Sequence, residues 1–377
     1  MMRYIGRNIG NITMMTAALL LATACSDDDR TDGVATDHNI SLVLGNGSYT
    51  EGSSVDVTRA LPAGFVPFDS LYPNIVTAHA QIVGFFTNSS EVSSARFNYA
   101  PEGNTHRWSS RVHIDDGSYY LYGFMPGEDA TSVNISPYNG DYQNGAVMNI
   151  LGLNALVPSD VCVIVGVKGH DNKTDLITDL DMVSRLGKFD YTTQPTDDYV
   201  YLLMDHLYAG LRFKAHIDST YAKLRTVKIK KLELIADVIT ERVDVSVTMV
   251  ANAAKPKQNV SYTSTGSATK ATTQLFPRAD RPTEFEVPVN TTEDFVGCYA
   301  PSTCKSFVLK TTYDVYDRYD NLIRENCVAE NNINATLFTN LNTLTAGQIC
   351  TIDLFIKPTF LYMLSDPDLD NPTITLQ

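Results

Sequence analysis

The chain has 377 residues, 44% of them hydrophobic and 19% charged. That is ample material for packed cores and excludes global disorder; the length suits a targeting segment plus two domains of about 150 residues each. A formal net charge of -14 repels phosphate backbones, so nucleic acid is not an expected partner.

The N-terminus carries the sharpest local signal. Arg3 and Arg7 precede an apolar run from Ile12 to Ala24, too short to span a bilayer, so residues 1–24 read as a cleaved signal peptide. The run ends in Leu21-Ala22-Thr23-Ala24-Cys25. Small residues directly before a cysteine resemble a bacterial lipobox, although Leu21 stands one place further from the cysteine than usual. Lipidation is therefore expected at Cys25, and each buried CH₂ of the acyl chains contributes ~0.8 kcal/mol of membrane anchoring. Ser26-Asp27-Asp28-Asp29 follows, an acidic run that reads as a solvated tether and resembles the surface-export signal of lipoproteins. No later apolar stretch reaches the ~18 residues of a membrane span.

Residues 25–59 form a lead, rich in Gly, Ser and Asn from Ser41 to Ser54, with one short strand at Ile40, Leu42 and Leu44. Beyond it, period-two alternation dominates. Trp108, Ser110, Val112 and Ile114 alternate with Arg111 and His113, and Asp115-Asp116-Gly117 reads as a hairpin corner. Cys162 lies in the apolar run Val161 to Val167, as a buried thiol. Thr174 to Leu186 is the best helical segment, with Gly187 as its stop, and Tyr191 to Asp198 is the best linker. Leu207, Ala209, Leu211, Phe213, Ala215 and Ile217 then share one parity in a long strand. Apolar parity switches between Val227-Ile229 and Leu232-Leu234, predicting a bulge near Lys230-Lys231.

Val243, Val245, Val247 and Met249 form the next alternating strand, and Ala251 to Thr273 reads as a polar, mobile loop. Phe307 to Val315 and Cys350 to Ile356 are further strands, with a corner at Asp320-Asn321. Pro358, Pro367 and Pro372 suit edge positions. Many strands and little helical periodicity predict an all-β chain of two β-sandwiches, at residues 60–196 and 197–377.

Catalytic signatures are absent: there is no GxSxG, P-loop or HExxH. No enzyme activity, cofactor or metal is expected. His206 and His216 fall on the wet face of one reading frame, ~33 Å apart if fully extended, too far to share an ion. Asp314, Asp317 and Asp320, or Asp366, Asp368 and Asp370, could hold Ca²⁺, but their spacing fits turn chemistry better. Beyond Cys25 five cysteines remain, an odd number, so they cannot all pair. Cys298 with Cys304 and Cys327 with Cys350 are the candidate bridges.

Several strings resemble the fimbrillin-like pilus subunits of Bacteroidetes. Trp108 followed by Gly117-Ser118-Tyr119-Tyr120-Leu121-Tyr122-Gly123-Phe124-Met125-Pro126 resembles the N-domain of that family, and Ser159 to Gly166 resembles a later strand of it. Asp205-His206-Leu207-Tyr208-Ala209 looks like the opening of the C-domain; Thr312 to Asp317 and Lys357 to Tyr362 resemble its closing strands. The resemblance implies two tandem transthyretin-like β-sandwiches, preceded by a lipoprotein signal and a removable first strand. It also implies a precursor held in the outer membrane by lipid, exported, and cut by an arginine-specific protease. Thr58-Arg59-Ala60 is the matching position, with Arg59 and Ala60 flanking the cut and Arg30 a weaker site. The strand removed would be Ile40 to Leu44.

A strand from another fimbrial subunit would then fill the gap, building a homo- or heteropolymeric surface fimbrium that serves adhesion to a host or bacterial surface. Candidate donor positions near the free end are Phe360, Tyr362 and Leu364, or Ile374 and Leu376. Two rivals stand beside this expectation. One is a permanently anchored surface lipoprotein that captures glycans; the other is a hydrolase, which would need paired carboxylates ~5–10 Å apart in a cleft.

Overall fold

The computed structural model describes residues 41–44, 50–51, 80–99, 107–157, 160–168, 186, 188–192, 199–251, 253, 255–278, 283–290, 296–304, 306–334, 344–360 and 367–376. In chain order the strands begin with β1 (Ser41–Leu44), β2 (Thr50–Glu51), β3 (Ala80–Phe86), β4 (Glu91–Tyr99), β5 (Arg107–Ser109) and β6 (Gly117–Met125). They continue with β7 (Ser132–Pro137), β8 (Gly145–Asn154), β9 (Cys162–Lys168), β10 (Lys188–Tyr191), β11 (Tyr199–His206), β12 (Tyr208–Ile217) and β13 (Arg225–Val250). The last seven are β14 (Lys257–Phe276), β15 (Phe285–Glu286), β16 (Val296–Pro301), β17 (Phe307–Asp317), β18 (Leu322–Ile333), β19 (Gln348–Phe360) and β20 (Pro367–Leu376). The protein is all-β; single 3₁₀ turns are the only helical pieces among the described residues.

Three sheets result among the described residues. The first runs β10-β6-β3-β4-β5-β1-β11-β9, and a further pairing of β9 with β6 brings its path back on itself. The second runs β16-β12-β19-β2, with β20 also on β19. The third runs β18-β17-β13-β8-β7, with β14 and β15 on β13.

Strand parity explains why the first sheet is apolar on both faces. Phe85, Leu121, Ile164 and Leu202 point into one core, while their neighbours Phe86, Tyr122, Val163 and Val165 belong to a larger one. That larger core also takes the inward residues of β12, β13, β17 and β19. A strand buried on both faces needs a continuous apolar run, which is what Val161 to Val167 supplies. Pairing crosses the boundary expected at 196/197. β7 and β8 join the sheet of β13, and β11 joins the first sheet.

The alternation read from sequence is present in β12, β13, β17 and β19, whose inward positions are buried. A register shift between Ile229 and Lys231 marks the expected bulge, and Asp320, at φ 64, turns the corner between β17 and β18. Pro358 pairs with Pro372 at the edge of the second sheet.

Three expectations need correction. Residues 257–273, read as loop, lie in the twenty-residue strand β14. Its Thr, Val and Tyr have high β-propensity, and as the outer partner of β13 it needs few apolar positions. Regular strand stops at Ser109, although Val112 and Ile114 are still buried as their parity required. No disulfide joins Cys162, Cys298, Cys304, Cys327 or Cys350 among the described residues. Cys327 lies opposite Tyr313 in the third sheet and Cys350 opposite Leu211 in the second. The segment expected to be helical lies outside the described residues except for Leu186, which is buried.

Candidate functional site

The lead contributes two strands, and they join different sheets. β1 is interior. It runs parallel to β11, with Leu42 opposite Val200 and Leu44 opposite Leu202, and antiparallel to β5, with Leu42 opposite Trp108. Val200 and Leu202 are buried in the first sheet's own core. The only described pairing that joins β5 to β11 runs through β1. Taking β1 out would leave two facing rows of unpaired backbone N–H and C=O groups over an apolar floor, a template for another strand.

β2 adds to the second sheet instead. Thr50 and Glu51 pair in parallel with Gln348 and Ile349 at the start of β19. Further along β19, β20 pairs antiparallel, with Ile374 opposite Ile356 and Leu376 opposite Leu354. Ile374 is buried, and its carbonyl accepts a 2.8 Å hydrogen bond from Asn331 Nδ2 of β18. The tail is thus held by backbone pairing to β19, by the buried Ile374, and by side-chain hydrogen bonds from Asn331 of the third sheet and from Thr375 Oγ1 to the Phe355 carbonyl at 3.3 Å.

Of the residues singled out from sequence, Leu42 and Leu44 lie in β1, Ile374 and Leu376 in β20, and Phe360 ends β19 opposite Pro367. Cys25, Arg30, Ile40, Arg59, Ala60, Tyr362 and Leu364 lie outside the described residues. The acidic corner follows turn chemistry. Asp317 accepts from the Asn321 side-chain amide at 3.0 Å and from the backbone N–H groups of Asn321 and Tyr319 at 2.9 and 2.8 Å, which lowers its carboxyl below the usual range. Asp314 is buried against Lys230 at 3.2 Å, and Asp320 pairs with Lys228 at 3.2 Å. The three carboxylates serve separate partners.

His206 departs from the wet-face expectation. It ends β11 before the chain passes into β12 of another sheet, so the single reading frame breaks at Leu207. The imidazole is 2% exposed, with Nδ1 2.6 Å from Asp160 Oδ2 and 3.5 Å from Cys162 Sγ. A nucleophile relay needs the thiol and the carboxylate on opposite ring nitrogens; here both meet Nδ1. Burial, then the Asp160 charge, pushes the Cys162 thiol well above its ordinary value, which disfavours the thiolate. The trio is not arranged for nucleophilic catalysis. His216 sits elsewhere, stacked on Phe355 and 2.8 Å from Asp353.

No protein-family profile matches the chain, and no curated protein sequence matches it. Solved structures do. A proposed cell adhesion protein of Bacteroides fragilis matches over 90% of this chain and 96% of its own, at 11% identity and a TM-score of 0.43. A fimbrial protein of Bacteroides vulgatus matches over 90% and 98%, at 12% identity and a TM-score of 0.32. The fimbrial anchor protein Mfa2 of Porphyromonas gingivalis matches over 90% and 96%, at 10% identity and a TM-score of 0.25. At such scores the likeness carries no argument about what this chain does.

Proposed function

We propose that the chain is a structural pilus subunit. It is lipidated at Cys25, exported to the cell surface as an outer-membrane lipoprotein, cut after Arg59, and assembled with other subunits by strand exchange into an adhesive fimbrium. No enzymatic activity is assigned to it. The observation that carries this reading is the position of β1. A strand from the lead, on the far side of Arg59 from both cores, fills an interior place in the first sheet. A cut after Arg59 would detach β1 and β2 together while leaving the remaining strands covalently continuous. The empty place would take an extended segment of a second subunit, and because donor and acceptor surfaces differ, the contact repeats without closing. The strand β20, docked on β19 at the edge of the second sheet, is the candidate donor.

The test is treatment of the purified precursor with an arginine-specific protease, followed by N-terminal sequencing and electrophoresis without boiling. A new terminus at Ala60 together with detergent-resistant ladders is the expected result. A chain that stays uncut while folded would overturn the reading in favour of a permanently anchored lipoprotein.

A further inference from the structure

The buried trio of Asp160, Cys162 and His206 is built by strand geometry. Asp160 lies two residues before Cys162, which opens β9, and His206 is the register partner of Cys162 across the β9–β11 pair. The three donor atoms lie within 4.8 Å of one another. All three residues are at least nine-tenths buried. Asp160 Oδ1 is buried without a hydrogen-bond partner, which is costly for an ordinary polar group and more so for a charged one. A carboxylate oxygen left bare beside a thiol and an imidazole is the unexplained feature of this core.

We infer that Asp160, Cys162 and His206 bind one thiophilic divalent cation, Zn²⁺ by its chemistry. Thiolate, imidazole and carboxylate are the donor types zinc takes, at about 2.3 Å for sulfur and about 2.0–2.2 Å for nitrogen and oxygen. Two such bonds at a tetrahedral angle put sulfur and nitrogen about 3.5 Å apart, and Cys162 Sγ and His206 Nδ1 are 3.5 Å apart. Asp160 and His206 must part from their 2.6 Å hydrogen bond to about 3.3 Å, a side-chain rotation that also gives the bare oxygen a partner. Thiolate and carboxylate together cancel the charge of the ion, so no net charge is buried.

The backbone around the trio restricts its movement. Gly347, at φ 78, lies so close that a Cβ there would come within 3.0 Å of His206 Cδ2. Lys257 donates to the His206 carbonyl and pairs with Asp205 at 3.1 Å. A register shift between Leu203 and Met204 separates the trio from the stretch of β11 that pairs with β1. A bound ion would clamp β9 to β11 just beyond the β1 seat, and this inference does not depend on the polymerisation reading.

The test uses protein produced in zinc-supplemented and, separately, cobalt-supplemented medium. One equivalent of Zn²⁺ by elemental analysis, and a thiolate-to-Co²⁺ charge-transfer band in the near ultraviolet, are expected. Cys162→Ser should lose the band while Cys350→Ser keeps it, and Asp160→Asn should lower zinc affinity at least tenfold. Wild-type protein that is folded and metal-free would overturn the inference, whatever the variants do. So would a band that survives Cys162→Ser.

Discussion

The two ends of the described fold are held in opposite ways. β1, from the head, is four residues long and interior, with a neighbour on each side. β20, from the tail, is ten residues long and lies on an edge, with β19 as its sheet neighbour. An interior strand cannot leave without opening two rows of backbone groups, whereas an edge strand can peel away and open one. The head is therefore suited to define an acceptor site and the tail to act as a donor. Length runs the same way, because a longer donor replaces more pairing than the short strand it displaces.

The largest expected effect is on the acceptor side. Arg59→Ala should abolish both the new terminus and the ladder while leaving the melting curve of the precursor unchanged. Ladders persisting in that variant would mean that assembly does not begin by removal of the head. Leu42→Pro comes next. It removes a donor from an interior strand, and one lost ladder bond plus one orphaned carbonyl comes to about 2–4 kcal/mol. Urea denaturation should show that loss in the uncut chain and none once the head has been removed.

The tail should respond more weakly. Ile374→Ala deletes a buried side chain, 3% exposed, and should cost about 2 kcal/mol, the low end for such a truncation because the site is at an edge. If β20 is the donor, the same change weakens the polymer as well as the monomer; an unchanged ladder would assign donation elsewhere. Asn331→Ala removes the 2.8 Å bond to the Ile374 carbonyl, worth about 1 kcal/mol. A separate response, to alkaline pH, is expected in β19, on which the tail docks. Burial raises the Cys350 thiol from 9.0 to about 11. A raised pKa adds stability that is intact below pH 9 and lost as pH rises through 11. Cys350→Ser should flatten that part of the melting-temperature profile.

How the fold could be read from sequence depended on how each strand is buried. Where one face is wet, as in β12, β13 and β17, alternation named the inward residues correctly, because side chains point to opposite faces at a period of two. The parity switch near Lys230 located a bulge for the same reason. The method failed on β14, where a polar partner strand shows no apolar stripe. It failed again at His206, where one continuous alternation ran through a change of sheet at Leu207.

The sequence by itself determined the all-β class, the inward faces of the half-buried strands and the turn role of Asp317. These depend on local spacing and on chemistry within a few residues. Only the tertiary structure decided that β1 is interior while β20 is an edge, and that pairing crosses residue 196. It also decided that Asp160 and Cys162 meet a histidine 44 residues further along the chain than the cysteine. Cross-strand register sets all of these, and register follows from which apolar faces are buried together, a property that no single window of the chain contains.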